Sequence, residues 1–365
     1  MRNGTVGKVV LELSPSEDNP RNSEGSFIDL KDGRLMFVYS RFVGETEDDY
    51  AFALIAKRYS SDQGNSWSED EIIASPREYD ALNIMSVSLL RLANDDIGLF
   101  HLIRYGFHDT RLYLRRSSDE GETWSKAVCC MPGPGYYNVN NDRVIRLSSG
   151  RLVIPACYFR LQGNDTTDLS SWDPRAILMF CLSDDDGATW RESRSFHALP
   201  VAWSEAGFDE PGVIELTNGT LWAWIRTDLG RQYESFSTDG GETWSVPTAS
   251  IFTSPSSPLS MKRIRQWNNV LLAVWNPIPT YQTRIYERHS GGRSPLVGAI
   301  SRDEGKTWEE EIAIETDERS GYCYTAIHFV DDSVLLAYAA GNADEGFCLR
   351  RLRIRKMKLS ELMST

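Results

Sequence analysis

Four apolar runs of this chain end in arginine: LMFVYSR at Arg41, LFHLIR at Arg104, PACYFR at Arg160 and LWAWIR at Arg226. A guanidinium is a planar fork of N–H donors that grips a carboxylate bidentately, so arginines converging from several strands would hold an anionic group and orient it. The chain also places a carboxylate ahead of one of these strands, Glu210 in DEPGVIELTNGTLWAWIR, and two tyrosines, Tyr322 and Tyr324, in SGYCYTAI. A tyrosine hydroxyl, with an ordinary pKa of about 10, is a weak nucleophile until a neighbouring base takes its proton. Each residue also has a plainer reading, as a blade ion pair, a solvated turn glutamate before proline, or a core aromatic with a satisfied hydroxyl. Metal chemistry is not expected: His101, His108, His197, His289 and His328 lack ligand spacing, and six cysteines are too sparse for a disulfide scaffold and lack zinc spacing. No cofactor is expected either.

The elements that must position these residues announce themselves by repetition. SSDQGNSW from Ser60, SSDEGETW from Ser117, SDDDGATW from Ser183, STDGGETW from Ser237 and SRDEGKTW from Ser301 fit one pattern, Ser-x-Asp-x-Gly-x-Thr/Ser-Trp. Five copies at a period of roughly 60 residues are internal repeats, which decide the architecture before any local reading. Between the boxes runs a looser echo of apolar segment, polar turn and apolar segment, as in SFIDLKDGRLMFVYSR and GVIELTNGTLWAWIR, six in all. These are hairpin signals. A third strand leads into each box and a fourth follows it. Four antiparallel strands repeated six times predict an all-β, six-bladed β-propeller.

In the box, glycine permits positive φ, Asp and Ser/Thr can bond turn amides, and Trp packs into the blade. The motif recurs because the blade recurs, and its role is structural. The sixth blade lacks a box, while VGKVVLEL near the N-terminus is a spare strand. A single domain over residues 1–365 is therefore expected, its ring closed by the N-terminal strand completing the last blade.

Composition narrows the partners. A net charge of −13 argues against nucleic acid and requires a local arginine cluster for any anionic substrate. No run of 18 apolar residues suggests membrane insertion. The start MRNGTVGKVVLEL lacks the pattern of a signal peptide, so a cytoplasmic location is expected, or a secreted or periplasmic one if a leader has been trimmed.

The repeated box resembles the Asp-box of the sialidase (neuraminidase) superfamily, a motif shared with xyloglucan hydrolases, sortilin-type receptors and photosystem assembly factors. The resemblance sharpens at residues 209–226, which are similar to the sialidase pattern of Glu, apolar pair, Glu-Leu, Gly turn and apolar strand ending in Arg. It implies Glu210 as the base serving the nucleophile and Arg226 as one member of an arginine triad for the substrate carboxylate. RSPLVGAISRDEGKTW resembles the segment whose leading arginine, here Arg293, is another member. SGYCYTAI resembles the stretch carrying the tyrosine nucleophile, which assigns Tyr322, with Tyr324 as the fallback. EDDYAFALIAKRYSSDQG resembles the segment bearing the acid/base aspartate. Counting back from the box selects Asp49, and counting forward from Arg41 permits Glu47 or Asp48. Arg41 matches an arginine that contacts the sugar near O4.

The family opening, Phe/Tyr-Arg-Ile-Pro, reads NPRNSEGS here, so Arg21 takes that place only if two residues are looped out. The glutamate that steadies this arginine in the family is missing from LLAYAAGN, and Arg104 or Arg160 could rebuild the clamp. The function implied is an exo-α-sialidase that removes terminal sialic acid, or a related nonulosonic acid, from a sialylated glycan. Its mechanism would be retaining, through a covalent intermediate on a tyrosine whose neutral hydroxyl avoids repulsion by the substrate carboxylate. The alternatives are a non-catalytic glycan-binding propeller and an exo-glycosidase for a neutral sugar.

Overall fold

A computed structural model of the chain describes residues 6–165, 169–264, 266–267, 270–280 and 285–362. Nearly all regular structure is antiparallel strand, and the helical pieces among the described residues are short 3-10 turns. Blade one runs from the axis outward as Asn22–Asp29, Leu35–Phe42, Ala53–Ser60 and Glu71–Ala74. Blade four (Asp209–Glu215, Leu221–Arg226, Arg231–Ser237, Thr248–Thr253) and blade five (Ser260–Arg263, Leu271–Trp275, Leu296–Ser301, Ile312–Glu315) repeat that order. Blade six is Cys323–Val330, Ser333–Ala339 and Leu352–Lys358, with Lys8–Leu13 as its outer strand. Residues from the two ends of the chain thus share one sheet, in antiparallel register from Lys8↔Lys356 to Leu13↔Leu352.

Blades two (Asn83–Arg91, Ile97–Gly106, Asp109–Ser117, Val128–Cys129) and three, whose outer strands are Ile177–Ser183 and the short Arg191–Glu192 and His197–Ala198, depart from simple repetition. The inner strand of blade three is only Ile145–Arg146, and Tyr136–Asn138 covers the other end of Leu152–Phe159. Tyr136 also pairs in parallel with Thr110, which joins the two blades into one sheet. MPGPGYYN thus supplies a strand that bridges blades.

All five boxes share one hydrogen-bond pattern. In blade two, Ser117 Oγ donates to Asp119 at 2.7 Å and accepts from the Gly121 amide at 2.8 Å, while Thr123 gives its amide and hydroxyl to the same aspartate at 2.9 and 2.6 Å. The box glycines hold φ between 82° and 90° and stand against a neighbouring blade: a Cβ on Gly121 would lie 2.9 Å from Met36 Sδ, and one on Gly305 would lie 2.3 Å from the Trp222 ring. Box tryptophans reach the preceding blade, Trp244 stacking on Phe180 at 3.8 Å and Trp308 meeting Phe252 at 5.1 Å. The box is thus both turn and inter-blade fastener, and it lies at the end of the third strand away from the candidate site.

Candidate active site

The innermost strands converge on the axis, and four carry a bulge at the same place. Register breaks between Ser23 and Ser26, Met85 and Ser88, Asp209 and Gly212, and Cys323 and Ala326. Inside these bulges Glu24, Ser86, Glu210 and Tyr324 hold φ of 56°, 56°, 42° and 58°. A left-handed backbone costs a non-glycine residue roughly 1–2 kcal/mol, and a bulge re-aims the side chain it carries. Here the re-aimed side chains meet one another.

Tyr324 donates its hydroxyl to Glu210 Oε1 at 2.9 Å. Arg226, at the end of its strand, donates to Glu210 Oε2 at 2.5 Å and also bonds Ser256 Oγ through Nε and Nη2. Arg293 lies with its guanidinium 5.5 Å from the centre of the Tyr324 ring, bonded to Cys323 Sγ at 3.0 Å and to the Ser256 carbonyl at 3.2 Å. Burial, then the negative charge of Glu210, pushes the Tyr324 hydroxyl well above its ordinary value, so the resting phenol is neutral. Asp209, next in the chain, is pushed up to about 6 by burial and by the neighbouring Glu210.

The blade-one bulge contributes a second group. Arg21 is 1% exposed and bonds Asp49 Oδ1 at 2.6 Å and Glu24 Oε2 at 3.1 Å. Glu24 also accepts from Ser23 Oγ at 3.0 Å and Ser86 Oγ at 3.2 Å. The Asp49 carbonyl accepts from Arg104 at 2.6 Å, and that guanidinium lies over the rings of Tyr50 and Tyr136 at 4.5 and 5.3 Å. Asn141 ties the two groups together, giving its amide hydrogens to the carbonyls of Gly25 at 2.8 Å and Tyr324 at 3.2 Å.

The expected residues are therefore only partly brought together. Arg21, Asp49, Glu210, Arg226 and Arg293 gather at the axis. Tyr322 does not: it is 2% exposed in the apolar core formed by blades five and six, its ring 6.1 Å from Tyr338, and Tyr324 stands against Glu210 in its stead. Strand alternation alone would put both tyrosines on one face, and the bulge at Tyr324 breaks that equivalence. Arg41 also stays apart, bonded to Asp70 at 2.7 Å on the blade-one face that carries Tyr39. Glu47 is paired with Arg350 at 2.8 Å, which leaves Asp49 as the carboxylate of its segment on Arg21. Arg160 is on Asp173, together with Arg175. Arg104 does join the site, through the Asp49 backbone.

Glu24, Asp209 and Ser256 are the members that reading the residues missed. Glu24 had a signal, a glutamate three residues after Arg21, but nothing local says that a bulge turns it inward. Among the described residues no three His, Cys, Asp or Glu side chains are grouped to hold a metal ion. What remains can bind a carboxylate through arginines, take a proton from a tyrosine and exchange a proton at an aspartate.

Comparison with known proteins agrees with this architecture. Residues 33–336 match the BNR repeat-like domain. The chain is 26% identical to a sialidase of Bacteroides fragilis over 62% of its own length and 39% of that protein, and 26% identical to a sialidase of Clostridium perfringens over 60% of its length and 59% of that protein. It thus spans less than two thirds of either relative. The structure of Hadza microbial sialidase Hz136 superposes over 94% of this chain and 66% of that one with a TM-score of 0.72 at 17% identity, a likeness of fold. With its five Asp-boxes and six blades, the chain belongs to the BNR repeat-like family of the sialidase superfamily.

Proposed function

We propose that this protein is a retaining exo-glycosidase that removes a terminal sialic acid, or a related nonulosonic acid, from a glycan. The observation that carries the reading is the hydrogen bond from Tyr324 to Glu210, whose other oxygen is held by Arg226. A sugar with a carboxylate on its anomeric carbon repels an anionic nucleophile, whereas a neutral phenol beside a base can approach it. Glu210 takes the phenol proton as Tyr324 Oη bonds the anomeric carbon, and the glycosidic C–O bond breaks as Asp49, having taken up a proton from solvent on substrate binding, gives it to the leaving oxygen. Asp49 then takes a proton from water, the water oxygen bonds the anomeric carbon, and Tyr324 leaves and recovers its proton from Glu210. Two displacements restore the original configuration. Arg226 and Arg293 flank the reacting tyrosine and are suited to orient the carboxylate.

The test is release of fluorophore from an α-linked sialic acid reporter by wild type, Tyr324→Phe and Tyr322→Phe. Tyr324→Phe should lose roughly ten-thousand-fold in turnover, the scale of a disabled nucleophile and base unit. Tyr322→Phe should stay within a few-fold of wild type and lose about 1 kcal/mol of stability with its buried hydroxyl. Equal losses in both variants would refute Tyr324 as nucleophile, and a silent wild type would refute the substrate.

A further inference from the structure

Arg21 is the most enclosed cation of the site, and its terminal hydrogens are all in use. Nη1 donates to the Glu47 carbonyl at 3.1 Å and to Asp49 Oδ1 at 2.6 Å; Nη2 donates to Ser23 Oγ at 3.3 Å and to Glu24 Oε2 at 3.1 Å. The Phe42 ring covers its flat face at 4.4 Å, and the side chain is 2% exposed. Placed so, Arg21 has no free terminal hydrogen to offer an incoming carboxylate.

Its two acidic partners are not equivalent. The Glu24 side chain is 6% exposed and is fastened by two serine hydroxyls on a bulge. The Asp49 side chain is 55% exposed, and apart from Arg21 it is the backbone of this residue, not its carboxylate, that Arg104 grips. One carboxylate is built in, and the other stands at the opening.

We propose that Asp49 occupies, in the empty site, the place on Arg21 Nη1 that the substrate carboxylate takes, and that Glu24 is the positioning residue that keeps the guanidinium fixed during the exchange. This rests on the reading that the site accepts a carboxylate-bearing sugar. It deepens that reading in two ways. Glu24, from blade one, does for Arg21 what no glutamate of LLAYAAGN can do. In addition, exchange couples binding to proton supply: while it lies on Arg21, Asp49 is kept ionised, its pKa held below the ordinary value by the charges of Arg21, Arg104 and Arg293. Released from Arg21, with Glu24 still nearby, it gains affinity for the proton that the leaving oxygen needs.

The experiment measures binding of free sialic acid and of its methyl ester by titration calorimetry to wild type, Asp49→Asn, Asp49→Ala and Glu24→Gln, with folding checked by circular dichroism. Both Asp49 variants lack the competing charge and should bind the acid about tenfold more tightly than wild type, with ester binding unchanged. Glu24→Gln should bind the acid at least tenfold more weakly and the ester as wild type does. Folded Asp49 variants that bind the acid no tighter than wild type would overturn the exchange while leaving the substrate class standing. Absence of acid binding to every form would overturn the substrate class and the exchange with it. Equal weakening of acid and ester by Glu24→Gln would reduce Glu24 to a structural role.

Discussion

At the scale of single residues the site is a place where folding free energy is given up. Glu210 is buried and the adjacent Asp209 partly buried, and Asp209 accepts the Glu210 amide at 2.9 Å and lies 3.1 Å from the Cys157 thiol. Because the folded pKa of Asp209 is raised to about 6, by burial and then by Glu210, the folded state binds this proton more tightly than the unfolded chain does. Its favourable contribution is complete below the unfolded value of about 4 and is lost as pH rises through about 6, a change on the order of 3 kcal/mol. Asp209→Asn should therefore flatten the pH dependence of stability between about 4 and 6 and gain 1–3 kcal/mol at pH 8, roughly the relief of one unwanted buried charge. Urea unfolding of both proteins at pH 4, 6 and 8 tests this. A variant less stable than wild type at pH 8 would mean that the contact with Arg226, 3.7 Å away, outweighs the repulsion.

At the scale of elements, the box turn is the unit whose failure should propagate. Gly305 sits at φ 84° against Trp222, whereas Gly219 sits at φ 81° with open space where a Cβ would go. Gly219→Ala should cost only the backbone term, roughly 1–2 kcal/mol, and Gly305→Ala roughly 1–3 kcal/mol more because blade five must move off blade four. Thermal unfolding of the pair isolates the fastening role from the turn. The box aspartates add an acid dependence. Thr123 and Thr189, then Ser117 and Ser183, hold Asp119 and Asp185 at about 2 through hydrogen bonds. Their folded pKa values are depressed, so the stability they bring is present above about 4 and disappears as pH falls through about 2. Asp119→Asn should shift the acid-unfolding midpoint upward, and an unchanged midpoint would show that the turn holds without its carboxylate.

At the scale of the molecule, the ring is completed by a strand whose exposed and half-buried residues alternate irregularly. Val10, Leu11 and Leu13 lie against the core of blades six and one. Without Lys8–Leu13, Leu352–Lys358 would become an open edge, the feature propellers otherwise keep short and protected. Deletion of residues 1–14 should cost about 2–4 kcal/mol, from three half-buried side chains at about 1 kcal/mol each plus the lost ladder. It should also promote association, seen as higher-mass species in size-exclusion chromatography with light scattering. A monomeric deletion variant of unchanged stability would show that the ring needs no outer strand there.

Repetition is a property of order along the chain, so the sequence alone determined the blade count, the box turns and the arginines at strand ends. Short-range spacing also paired Glu210 with Arg226, because sixteen residues joined by a two-strand hairpin return to the same end of a blade. Which tyrosine faces the axis was a different kind of fact. Tyr322 and Tyr324 differ by one strand period, and only a bulge held in place by blades on either side turns Tyr324 toward Glu210 and leaves Tyr322 in the core. The same holds for Arg21 and Glu24, whose meeting depends on a register break against Leu35–Phe42, and for Arg41, which an acid from the same blade captures. Local sequence specifies which side chains a strand can present. The tertiary structure decided which of them meet, because bulges, burial and ion-pair partners are settled only when six blades close around one axis.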